Sequence, residues 1–185
     1  MIRITGGTLR NRQIAVPKGG VRPMPEKVRL ALANSLSRII EGKDVLDLFA
    51  GTGAMGFELL SRGAQSCTFV EICPKHASFI RTASRNLGVV DRASIHKGDA
   101  FVFPKKKERF DIIFLGPPFV IFDDELGRKR FDNLLGEIIL KNTKEGACIV
   151  AQTPTKTDVM PEGITPVKIK KYGVNKLVYF EKEMV

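Results

Sequence analysis

Three carboxylates and one proline pair have the types and spacing to do chemistry. Asp47 lies in V-L-D-L-F-A-G-T-G-A-M-G, Val45 to Gly56, four residues ahead of the first of the glycines Gly51, Gly53 and Gly56. Glu71 closes a second apolar run, C-T-F-V-E, and Asp99 follows a third, S-I-H-K-G-D-A. The segment G-P-P-F, Gly116 to Phe119, comes directly after a fourth, D-I-I-F-L. A glycine turn lets a ligand approach the backbone, because no Cβ stands in the way. G-T-G-A-M-G also satisfies the dinucleotide fingerprint G-x-G-x-x-G, with Glu71 placed to hold a ribose. Asp47, however, would repel a pyrophosphate and attract an ammonium. Asp99 could receive an adenine amino group. Ammonium, ribose diol and adenine edge together describe S-adenosylmethionine, not NAD. Each carboxylate alone could be a helix cap or a surface residue, but all three end consecutive strands, which argues against coincidence.

The elements that must position these residues alternate from Lys43 onward. Strands are expected at Val45–Phe49, Cys67–Val70, Ser94–His96, Asp111–Leu115 and Ala147–Ala151, with a closing pair at Val167–Lys171 and Leu177–Glu181. Helices are expected at Ala54–Arg62, Lys75–Leu87 and Phe131–Leu140. Repeated β-α units imply a mostly parallel sheet covered by helices on both faces, and the short link between the last two strands makes that pair antiparallel. The fold class is therefore α/β, a Rossmann-like, mostly parallel seven-stranded sheet with an antiparallel C-terminal strand. It carries a small N-terminal extension. There, Ile2 to Val16 alternate apolar and polar around Gly6, Gly7 and Asn11, as in a β-ribbon. Pro25 to Ile40 then show helical spacing. The division expected is residues 1–42 as a basic extension and 43–185 as the main domain.

The totals bound the partners. The chain has 185 residues and 30 Lys and Arg against 20 Asp and Glu, a net charge of +10. That excess favours a polyanion, most simply nucleic acid. Cys67, Cys73 and Cys148 form no C-x-x-C pair and His76 and His96 stand apart, so neither a metal site nor a disulfide scaffold is expected. Cys67 and Cys148 read as buried thiols. No apolar run approaches membrane-spanning length and M-I-R-I-T-G-G is no signal peptide, which points to the cytoplasm.

These motifs together resemble the RsmD family, bacterial enzymes that methylate the exocyclic N2 of a guanine in small-subunit (16S) rRNA. The resemblance covers nearly the whole chain. R-I-T-G-G-T-L-R-N-R-Q-I is similar to the family's N-terminal ribbon, and R-P-M-P-E-K-V-R-L-A-L-A-N to its R-P-T-x-x-x-V-R-E-x-L-F-N segment. D-L-F-A-G-T-G-A-M-G matches its first motif, and Y-G-V-N-K-L resembles its closing hairpin. The resemblance implies a class I S-adenosylmethionine-dependent methyltransferase that needs no metal. It places the cofactor at Asp47, Phe49, Gly51, Gly53, Glu71, Ile72, Asp99 and Ala100. Asp47, Gly51 and Gly53 would hold the methionine part and Glu71 the ribose. Ile72 would pack on the adenine, and Asp99 with the Ala100 backbone would meet its edge. Arg3, Arg10, Arg12, Arg22 and Arg29 become candidate RNA contacts. The implied partner is 16S rRNA, naked or within an assembling small subunit, and the protein is expected to be a monomer.

Two departures from the family pattern matter. Its fourth motif is D-P-P-Y or D-P-P-F, with Asn replacing Asp in related amino-methyltransferases; here it is Gly116-Pro117-Pro118-Phe119. An exocyclic amine is a poor nucleophile because its lone pair is delocalised into the ring. The acidic or amide side chain and the following proline's carbonyl accept its N–H bonds and orient that lone pair. The aromatic residue stacks on the base. Gly116 removes one acceptor, a loss typically of about 10²–10³ in rate. Three outcomes follow: a slowed enzyme, an enzyme with a substitute acceptor such as Asp123 or Asp124, or an rRNA-binding assembly factor without catalysis. The first two are favoured because the cofactor residues are all present. N6-adenine methylation is the alternative within enzymes. The second departure is Met24-Pro25 in place of the family's threonine, with Leu30 at its glutamate position.

Overall fold

The structure is a computed structural model that describes residues 1–17, 23–105 and 107–182. It divides into two compact units, Met1–Ala100 and Phe101–Val185.

The first unit opens with a ribbon in which β1 (Ile2–Arg3) pairs antiparallel with β2 (Gln13–Ile14). Asn11 turns the chain with a φ of 67°, as its tolerance of the left-handed region allows. α1 (Glu26–Leu36) follows, then β3 (Asp44–Leu48), α2 (Ala54–Ser61), β4 (Ser66–Glu71), α3 (Pro74–Leu87) and β5 (Ala93–Lys97). β3, β4 and β5 are parallel, with Val45 opposite Cys67 and Cys67 opposite Ala93. Every residue of α2 is buried, which is what an A-M-G-F-E-L-L-S helix, apolar nearly all round, requires. α3 is amphipathic. Pro74 sits at its start, and Gly88 ends it at φ 72°, donating to the Arg85 carbonyl, the usual pairing of proline at the start with glycine past the end.

The ribbon is fastened to the middle and the C-terminal end of α2 by hydrogen bonds. Thr5 donates its N–H and its hydroxyl to the Glu58 carboxylate, at 2.9 and 2.6 Å. The Thr8 N–H reaches the Ser61 carbonyl at 2.7 Å, and Ser61 Oγ donates to the Gly6 carbonyl. Gly7 makes this approach sterically feasible: its φ is +74°, and a Cβ there would fall 1.8 Å from the Ser61 carbonyl oxygen. Ile4 and Ile14 are 1% and 2% exposed, and burying each such side chain contributes roughly 1.5–3 kcal/mol.

The second unit holds β6 (Phe110–Leu115), α4 (Glu125–Lys141), β7 (Thr143–Pro154), β8 (Lys168–Tyr172) and β9 (Asn175–Glu181). β6 and β7 are parallel, and β9 runs antiparallel to both its neighbours, β7 and β8. Among the described residues the strand order is β5-β4-β3 in the first unit and β6-β7-β9-β8 in the second, seven main strands, mostly parallel, as expected from the sequence. Cys67 and Cys148 are buried and free, as expected.

Two elements are longer than their sequences suggest. α4 begins six residues ahead of the expected Phe131, because Asp124 caps it by accepting from the Gly127 N–H at 2.7 Å. Its first turns, E-L-G-R-K-R, are polar and hide the helical period. β7 extends beyond Ala147–Ala151 at both ends, since Thr143 pairs with Phe110 and Gln152–Pro154 pair with Leu177, Lys176 and Asn175. Partners distant in sequence recruit those residues; their own propensities do not.

Candidate functional site

β3 delivers the chain into the glycine turn. Leaving the strand, Phe49 takes a φ of 62°, a left-handed conformation that costs a non-glycine residue on the order of 1–3 kcal/mol. The Ala50 N–H is held by the Val70 carbonyl at 3.0 Å, and the Gly53 N–H by the Ala50 carbonyl at 2.7 Å. Gly53 has a φ of 72° and immediately precedes α2, so glycine is the residue that turns the chain there without strain. Gly56 serves a different purpose. A Cβ on it would lie 2.2 Å from Phe69 Cε1 and 2.7 Å from Cys67 Sγ, so its lack of a side chain lets α2 press against β4.

The carboxylates gather around this turn. Asp47 is 1% exposed and, among the described residues, accepts one hydrogen bond, from the Gly56 N–H at 3.0 Å. Burial pushes its pKa up to about 8; the Gly56 N–H opposes the rise and the charge of Glu71 adds to it. Glu71, also buried, accepts from Gly51 N–H at 2.7 Å and Cys73 N–H at 2.8 Å, with His76 Nδ1 3.6 Å away. It thus ties the glycine turn to the entry of α3. Its neighbour Ile72 is 65% exposed, an apolar side chain left facing outward beside a cluster of polar ones. The Gly98 N–H donates to the Glu71 carbonyl at 3.0 Å, carrying β5's exit alongside β4's, with half-buried Asp99 and buried Ala100 next in the chain. The candidate cofactor residues therefore lie at the carboxyl ends of three adjacent parallel strands, where open α/β sheets take their ligands.

G-P-P-F leaves the end of β6 in the other unit. Pro117 is buried and Phe119 half-buried at the start of a single 3₁₀ turn, Phe119–Phe122, in which the Ile121 N–H donates to the Pro118 carbonyl at 3.1 Å. Of the two acids expected as substitutes for the missing acceptor, Asp124 has its Oδ1 engaged in capping α4. Asp123 stands exposed at the end of the 3₁₀ turn. The polar side chain beside Gly116 is instead Gln152, 8% exposed, whose Nε2 donates to Asn175 Oδ1 at 2.7 Å. The sequence signals Gln152 only faintly, as a polar residue closing the apolar run A-C-I-V-A, and the motifs do not include it.

The arginines separate into two groups. Arg10 and Arg12 are exposed; Arg12 donates to the Asn86 carbonyl at 2.5 Å, near the end of α3. Arg3 is exposed and pairs with Glu26 at 3.1 Å. Arg22 lies outside the described residues. Arg29 departs from the expected contact with RNA. It is 2% exposed, donates to the Arg3 carbonyl at 2.7 Å, and has its Nε 3.6 Å from Glu58 Oε2. A guanidinium enclosed in that way holds the extension's own structure and is not a phosphate contact. The buried acid at its centre, Glu58, is likewise absent from the motifs, although an acid in the middle of an apolar helix is a recognisable sign.

Comparison with known proteins places this geometry. The ribosomal RNA small subunit methyltransferase D of Haemophilus influenzae is 34% identical over 182 residues, covering 94% of this chain and 90% of that protein. Among solved structures, the Escherichia coli protein yhhF superimposes with a TM-score of 0.83 at 28% identity, covering 100% of this chain and 99% of that one. An RNA methyltransferase from Salinibacter ruber, solved with S-adenosyl-L-homocysteine, shares the fold at a TM-score of 0.68 and 16% identity, over 89% of this chain and 95% of its own. The fold is that of class I methyltransferases. From residue 2 to residue 181 the sequence fits the family model described as conserved hypothetical protein 95, and the chain belongs to that family, the RsmD family its motifs resemble.

Proposed function

We propose that this protein methylates the exocyclic N2 of a guanine in small-subunit 16S rRNA, using S-adenosylmethionine. The observation that carries the reading is the buried Asp47, held by one backbone N–H beneath the glycine turn, with Glu71 and the exposed Ile72 beside it. A carboxylate so poorly compensated calls for a cation, and the donor's amino-acid ammonium is one. Asp47 with Gly51 and Gly53 would hold the methionine part, Glu71 the ribose hydroxyls, and Ile72, Asp99 and Ala100 the adenine. When bound, S-adenosylmethionine supplies a sulfonium methyl group: the amine lone pair forms the N–C bond as the S–C bond breaks, and the surplus proton passes to solvent.

The remaining roles fall to this chain's own groups. Phe119 stacks on the target base, and the Pro117 carbonyl accepts an N–H of its amine, which turns the lone pair out of conjugation. Arg3, Arg10 and Arg12 on the ribbon attract the RNA backbone, a contribution that weakens steeply with salt. The name and coverage of the Haemophilus relative support rRNA as the substrate. The protein acts as a monomer, with residues 1–42 as the RNA-binding extension.

The test is transfer of labelled methyl from S-adenosylmethionine to small-subunit rRNA taken from cells lacking the protein, followed by mass analysis of nucleosides. N2-methylguanosine is the expected product. N6-methyladenosine would assign the alternative substrate. Binding of cofactor and RNA without turnover would favour an assembly factor, the reading that Gly116 itself raises.

A further inference from the structure

We propose that the side-chain carbonyl of Gln152 replaces the acceptor missing at Gly116, receiving an N–H of the target amine. This rests on the reading of the protein as an exocyclic-amine methyltransferase. β6 and β7 run parallel with Leu115 opposite Ala151, so the next residues along, Gly116 and Gln152, are neighbours on one face of the sheet. A Cβ built on Gly116 would lie 3.8 Å from Gln152 Oε1. The amide oxygen therefore borders the space into which an acidic or amide side chain at that position would project.

Its orientation is set from the far side. Nε2 donates to Asn175 Oδ1 at 2.7 Å, and both side chains are buried, at 8% and 7% exposure. With the amide nitrogen held by β9, the oxygen is the end turned to Gly116. Among the described residues that oxygen accepts no hydrogen bond. An amide carbonyl is chemically suited to this role, since it accepts an N–H just as the Asn of related amino-methyltransferases can.

Phe114 completes the arrangement. The same hypothetical Cβ on Gly116 would lie 2.7 Å from Phe114 Cε1 and 2.9 Å from Cζ, so the buried phenyl ring fills the volume of the absent side chain. Gly116→Asp alone would collide with it. The family's acceptor is recoverable only with a smaller residue at 114, and Phe114, Gly116 and Gln152 behave as one coupled set.

The experiment measures single-turnover methyl transfer from labelled S-adenosylmethionine to small-subunit rRNA from cells lacking the protein, alongside cofactor and RNA affinities and thermal unfolding. Gln152→Leu is expected to lower kcat by about 10²-fold while cofactor and RNA affinities stay within twofold. Gln152→Glu keeps an acceptor and, with the Asn175 amide turned to donate its Nδ2–H to the carboxylate, is expected within tenfold of the parent. Adding Phe114→Leu with Gly116→Asp to the Gln152→Leu protein is expected to recover at least tenfold in kcat, which a merely structural role for Gln152 would not allow. If Gln152→Leu unfolds, Gln152→Glu decides alone: kcat within tenfold supports the role, and a loss beyond that overturns it. Gln152→Leu turning over within threefold of an active parent overturns this inference and leaves the function standing. A parent protein that transfers no methyl group to an exocyclic amine overturns both.

Discussion

Asp47 and Glu58 are both buried carboxylates, separated by little more than the glycine turn and half of α2, yet they are treated in opposite ways. Glu58, 0% exposed, has Arg62 Nε at 2.8 Å, Arg29 Nε at 3.6 Å, and the Thr5 N–H and hydroxyl at 2.9 and 2.6 Å. Its charge is met from several directions by the same residues that fasten the N-terminal ribbon. Asp47 has the Gly56 N–H and the repulsion of Glu71. A buried charge with its partners in place is a structural joint. One left short of cations stores unfavourable energy that a cationic ligand can release, which is how functional carboxylates are recognised.

Breaking the joint should have the largest effect. Glu58→Ala leaves the buried Arg29 guanidinium without the carboxylate it faces and strips half-buried Arg62 of the same partner, a loss of about 3–5 kcal/mol by comparison with other buried pairs. Denaturant unfolding would measure it, and hydrogen exchange should show residues 1–14 losing protection first. A change below about 1 kcal/mol, the range of exposed pairs, would mean that the network is not the joint described.

Asp47→Asn should separate function from stability. Cofactor affinity is expected to fall roughly 10²-fold, the scale of a lost charge-assisted contact of about 1.5–3 kcal/mol, by calorimetry. The unliganded protein should become more stable. The folded carboxyl, with a pKa of about 8 against its ordinary value of 3.8, binds a proton that the unfolded chain releases between those values. Stability of the parent therefore falls as pH rises from about 4 to 8. The asparagine variant escapes that loss, so its advantage in Tm should grow across this window. An advantage that shrinks with rising pH would refute the assignment.

Gly7→Ala sharpens the joint from its other side. The added Cβ meets the Ser61 carbonyl in a left-handed conformation, and a cost above about 1 kcal/mol is expected, with α2 itself intact by hydrogen exchange. The smallest effect belongs to the surface. Arg10→Ala should weaken rRNA binding a few-fold and reduce the salt slope by about one, leaving Tm unchanged. Arg29→Ala should instead lower Tm, the mark of an interior residue.

Much of the candidate cofactor region is legible in the chain because its signals are local. An apolar run, a carboxylate near its end and a glycine turn are written within a dozen residues, and the alternation of such runs with helical spacings dictates a parallel sheet. The same locality explains the free thiols Cys67 and Cys148, each set in an apolar strand. Tertiary structure decided what depends on partners far along the chain. It buried Arg29, which the motif resemblance places among the RNA contacts, because Glu58 and the Arg3 carbonyl close around it. It committed Asp124 to a helix cap whose helix the polar first turns conceal. It set Gln152 beside Gly116 through the β6–β7 register, with the Phe114 ring against the same position. Periodicity records which face a residue occupies; only the pairing of distant strands determines which residue it meets there.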